Sequence, residues 1–170
     1  KIKRVADSQA AGLIWPSMQF EVAENCMTCH GLAHPGLKAD DLAKMLGAGH
    51  PINTDFELVK YSQGSVRHRH YPPDIKTNAE MTPQELANIY VVGQAAALVS
   101  ATEAMSKSGE AKYKEAQNKR VEIAKAALSG ISEAAGLLAA PTRQNALGFV
   151  KSVAGKDLTG AIGGKLPAKS

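Results

Sequence analysis

The residues with the most chemistry to offer in this 170-residue chain are Cys26-Met27-Thr28-Cys29-His30. Two thiols three positions apart can each add across one vinyl group of a haem, and the histidine next to them can then ligate the iron. The chain has two cysteines, so such attachment would use both and leave none for a structural disulfide. Two other chemistries compete for the pair. A redox Cys-x-x-Cys wants a βαβ setting, whereas the flanking sequence reads as helical, without a strand pattern. A zinc site wants a second ligand pair at finger-like spacing, which no further cysteine supplies.

The first hundred residues resemble a class I c-type cytochrome. Asn25-Cys26-Met27-Thr28-Cys29-His30-Gly31 stands where that family has its haem site, close behind an N-terminal helix. Leu13, Ile14, Trp15, Phe20 and Val22 can form that helix's apolar side, with Pro16 in its first turns or marking its start. His34-Pro35-Gly36-Leu37 resembles the proximal loop, and the resemblance implies that the Pro35 carbonyl accepts a hydrogen bond from the His30 imidazole. Tyr71-Pro72-Pro73 followed by Met81-Thr82-Pro83-Gln84-Glu85-Leu86 resembles the distal loop and the start of the last helix. The resemblance implies one covalent haem c, with Pro35 and Tyr71 beside it. It also implies single-electron carriage between redox partner proteins rather than enzymatic turnover, in the periplasm or outside the cell.

The chain departs from the family at the sixth iron ligand. The family places a Met just before the Pro of the distal loop, where this chain has Tyr71, preceded by Val66-Arg67-His68-Arg69-His70. His70 is the first candidate, because nearby arginines favour the neutral imidazole that can bind a metal. Met81 comes second and His68 third, with Met45, Tyr71 and an open site behind them. Met81 also has a structural explanation. Thr82 suits an N-cap, Pro83 the first helical position and Glu85 the closing residue of a capping box, which leaves Met81 as a staple toward Leu86. A second imidazole lowers the reduction potential relative to Met. An open site would instead admit a peroxide, a nitrogen oxide or a dissolved gas, with His68, His70 or Tyr71 as distal donors or proton shuttles. His34 and His50 each precede a proline and read as loop residues.

The elements that would position these groups read as all-α. Residues 40–46 predict a short helix with Leu42, Met45 and Leu46 on one side, ended by Gly47 and Gly49. Residues 55–62 predict another, burying Phe56, Leu58 or Val59, and Tyr61. The resemblance implies that the helix from Thr82 crosses the N-terminal helix, with Gly93 permitting close approach. Lys107-Ser108-Gly109 marks a break, giving a cytochrome c-like haem domain over 1–107 and an Ala-rich helical extension over 108–170. Within the extension, residues 110–128 predict a helix with a stripe of Tyr113, Ala116, Ile123, Ala127 and Leu128, and residues 145–153 a further one. From Gly155 the tail reads as loose. The extension would pack either onto the haem body or onto a second copy, as a homodimer.

Aromatic residues make up only 5% of the chain, so a buried porphyrin would add flat apolar surface to a thin core. No run of eighteen apolar residues occurs, and no membrane span is expected. The opening Lys1-Ile2-Lys3-Arg4 reads as a mature chain after removal of an export signal. Residues 1–107 carry ten basic and eleven acidic side chains, and residues 108–170 carry ten and five. The excess charge of +4 therefore sits in the extension, which suits an acidic docking surface on a redox partner; no nucleic-acid partner is expected.

Overall fold

The computed structural model describes residues 2–15, 17–63 and 80–168. The described residues are helical and contain no strand, as the sequence predicts. The chain opens with α1 (Ile2–Ala10) and continues, after a turn, with α2 (Gln19–His30). Leu13 and Ile14 lie outside both helices and are 53% and 40% exposed, contrary to their expected place on an N-terminal helix. The reason is local. Gly12 takes a φ of 86°, and Pro16 disfavours helical backbone at Trp15. Trp15 instead folds back on α1, its indole N–H donating to Ser8 Oγ at 3.1 Å.

Two short helices come next, α3 (Ala39–Gly47) and α4 (Leu58–Ser62). In α3 the buried residues are Leu42 and Ala43, whereas Met45 is exposed rather than on the inner side. Helix α4 starts three residues later than the sequence predicts. The Glu57 carboxylate accepts from the backbone N–H groups of Val59 and Lys60, at 2.7 and 2.5 Å, and so caps the helix at that point.

The centre of the molecule is α5 (Pro83–Lys107), begun by the expected capping box. The Glu85 backbone N–H donates to Thr82 Oγ1 at 3.3 Å, and the Thr82 N–H donates to Glu85 Oε2 at 2.7 Å. From Ala87 to Val99 the helix is buried on nearly every side, because α2, α4 and most of the later helices pack on it. Gly93 meets Leu58 of α4: a Cβ there would lie 3.3 Å from the Leu58 Cγ, so its close approach is to α4 rather than α2.

Helix α6 (Ala111–Leu128) folds back along α5, and α7 (Ala135–Ala139), α8 (Arg143–Val153) and α9 (Thr159–Ile162) close the body. Residues on both sides of position 107 share one apolar cluster, in which Phe20, Leu98, Leu128, Leu137 and Ile162 are each at most 2% exposed. The extension is thus built into the same core as the first part. The described residues beyond Gly155 are not loose: Leu158 and Ile162 are buried, and Lys165 Nζ donates to the carbonyls of Ala126 and Ala127 at 2.9 and 3.2 Å.

Candidate functional site

The Cys-x-x-Cys-His segment forms the last turn of α2. Cys26 and Cys29, three apart, share one side of that turn; Cys26 is half-buried, Cys29 is exposed, and both are free thiols. Burial pushes the Cys26 thiol pKa up, and the neighbouring Cys29 adds to the rise. A redox-active Cys-x-x-Cys gains its thiolate from a helix N-terminus; here the negative end of the helix dipole opposes one. No three His, Cys, Asp or Glu side chains among the described residues, these included, converge closely enough to hold a metal ion directly. The raised thiol and the adverse dipole argue against a redox-active pair.

His30 ends α2 with an exposed ring, lying flat on Phe56 with centroids 4.0 Å apart and planes 7° from parallel. Tyr61 stands 5.9 Å from the same ring and 5.0 Å from Phe56. The His30 carbonyl accepts from the Asn53 backbone N–H at 3.1 Å, tying the segment that carries Phe56 to the end of α2. The described ring contacts of His30 are with Phe56 and Tyr61, not with the Pro35 carbonyl. Pro35 lies in the turn after His34 and, with Thr28, Leu42 and Tyr113, lines a cavity of about 140 Å³. His34 and His50 are exposed loop residues; the Nδ1 of His34 accepts from the Gly36 N–H at 3.1 Å.

The backbone just after His30 is held by side chains from α6. Leu32, buried, takes a φ of 48°, a left-handed conformation uncommon for a side chain of its size. Its carbonyl accepts from Tyr113 Oη at 2.6 Å, and the Gly31 carbonyl accepts from Gln117 Nε2 at 3.0 Å and from an Arg120 terminal nitrogen at 3.1 Å. Arg120 also donates to Gln117 Oε1 at 2.7 Å and reaches the Met27 sulfur at 3.3 Å. A Cβ at Gly31 would collide with the Arg120 guanidinium, so any larger residue there would push that side chain off the turn. Burial pushes the Arg120 pKa down to about 10, which leaves it charged at neutral pH.

This brace is not evident in the sequence, whose spacing places Ile123 on the buried stripe of α6 and does not include Gln117 or Arg120 in it. In the structure Gln117 is fully buried and Arg120 is 3% exposed, whereas Ile123 is half-buried. A polar residue at a stripe position is the one signal that could have found it. Arg143 of α8 adds an outer clamp on α2, its Nε 2.9 Å from Glu24 and its guanidinium 5.7 Å from the centre of the Phe20 ring.

Among the distal candidates, Met81 is 9% exposed and lies in a pocket with Val22, Leu58, Ile89 and Val92. Val22 is about 12 Å along the α2 axis from His30, at about 1.5 Å of rise per residue. That apolar setting matches the structural role its capping box predicts. His68, His70 and Tyr71 lie outside the described residues. No family model matches the chain, and neither does any curated protein or solved structure.

Proposed function

We propose that Cys26, Cys29 and His30 hold one covalently attached haem c, and that the protein carries single electrons between redox partners on the outer side of the cytoplasmic membrane. The observation that carries this reading is the donor set itself: two uncommitted thiols and an imidazole on one helical turn, at the spacing that thioether attachment requires. When bound, the haem supplies a one-electron iron couple. Phe56 fixes the plane of the His30 imidazole, and the brace from α6 keeps the turn after it from shifting. On this reading Tyr71 lies beside the haem, and Pro35 could accept the imidazole's other N–H only if the ring turned away from its place on Phe56.

The sixth ligand is assigned first to His70, then to Met81 and His68. The burial of Met81 near the start of α2 supports that order. The basic extension would face an acidic surface on a donor or acceptor protein. No helix among the described residues is long and apolar enough to cross a membrane.

The test is maturation in a host that attaches haem to exported chains. The product is expected to be coloured, heavier than the bare polypeptide by one haem, and low-spin in both oxidation states. It should bind cyanide and carbon monoxide poorly. C26A combined with C29A should lose covalent haem altogether. Tight carbon monoxide binding to a high-spin iron would favour a small-ligand site, and a colourless wild-type product would end the proposal.

A further inference from the structure

Arg120 is buried to 3% exposure, and no described carboxylate lies within ion-pair distance of its guanidinium. Burying a cation with no counter-charge is costly, and a chain that keeps one must recover the cost elsewhere. Part is recovered by its bonds to the Gly31 carbonyl, the Gln117 amide oxygen and the Met27 sulfur. Those bonds need donors, but nothing in them requires the donor to carry a charge into the core. Met27 lies between the two cysteines and Gly31 is the residue after His30, so the charge sits against the attachment turn on both sides of its ligand.

We propose that Arg120 is a positioning residue for this turn and the fixed positive charge that raises the reduction potential of the iron; the inference rests on the haem reading above. Reduction adds one electron, taken from a donor protein, to ferric iron and lowers the local positive charge by one. A neighbouring cation in a low-dielectric interior favours that change, because repulsion between the two charges falls. The same guanidinium lies at the negative end of the α2 dipole, where a cation is stabilised whether or not the iron is reduced. Holding the turn and tuning the iron are thus separable: the first needs hydrogen-bond donors, and the second needs charge.

The experiment measures the midpoint potential of the haem-loaded full chain in R120K, R120M and R120Q, with thermal unfolding alongside. K119M is the control, since Lys119 is an exposed cation next to Arg120 on α6. R120M and R120Q should shift the potential to lower values, either one sufficing should the other fail to accumulate. R120K should stay near wild type despite a lower unfolding temperature, and K119M should leave the potential unchanged. Loaded R120M or R120Q at the wild-type potential, or an equal fall in K119M, would overturn the inference while leaving the haem proposal intact. A wild type without haem would remove both.

Discussion

Two glutamates show how differently one residue type behaves in this protein. Burial pushes the Glu57 carboxyl up from its ordinary value, against the pull of the backbone N–H groups of Lys60 and Val59 that it caps. Glu133 goes the other way. Lys156 Nζ donates to its carboxylate at 2.6 Å, and with help from its own backbone N–H and Ser132 this holds the pKa down to about 2. A carboxyl depressed in the folded state adds stability above its unfolded value, near 4.5, and loses that contribution as pH falls through about 2. Glu57 has the opposite sign: its contribution is greatest at low pH and is lost as pH rises through its folded pKa. Removing the partner of Glu133 should therefore matter at neutral pH and cease to matter in acid. K156M is expected to be less stable than wild type at about pH 6, and urea unfolding should show the difference closing as pH approaches about 2.

At the scale of elements, the ends of helices explain more than their middles. Thr82 and Glu85 satisfy each other's backbone N–H groups at the start of α5. T82A should cost about 1 kcal/mol, the usual loss for an N-cap threonine, read as a lower urea midpoint with an unchanged slope. This end was legible because Thr-Pro-x-Glu is a local code. So was the break at residues 107–109, where Lys107 gives way to Ser and Gly. Only part of the buried face of α6 was legible: Tyr113, Ala127 and Leu128 are buried as expected, whereas Gln117 and Arg120 are drawn in by carbonyls at Gly31 and Leu32, far off in the sequence. Once those acceptors are present, Gln117 and Arg120 can be buried and Ile123 need not be. The late start of α4 has a similar origin, in a Glu57 side chain that reads as surface but acts as a cap. At the candidate site the donors were plain from their spacing. The stacking of His30 on Phe56 was not, since Phe56 explains itself equally well as core.

For the whole molecule, the division at residue 107 marks a turn rather than the edge of an independent body. Val121, Ala124, Leu128 and Phe149 belong to the same apolar cluster as Phe20, Ala23 and Leu98. A fragment comprising residues 1–107 would expose one long side of α5 and leave the Gly31 and Leu32 carbonyls without their α6 donors. Short chains already bury a small fraction of their surface, and this one would lose much of what it has. The fragment should show no cooperative thermal transition by near-ultraviolet circular dichroism, whereas the full chain should show one. A sharp transition in the fragment would mean that the first part folds alone.

Tyr113 and Arg120 reach partners 81 and 93 positions earlier in the chain. A chain that emerges from its amino end therefore presents both thiols long before the side chains that lock their turn in place. Contacts so distant in sequence close late, because a large loop must be gathered first. Any modification of Cys26 and Cys29 thus has an interval on the nascent polypeptide in which their turn is not yet braced, and the arrival of α6 is the event that fixes its geometry.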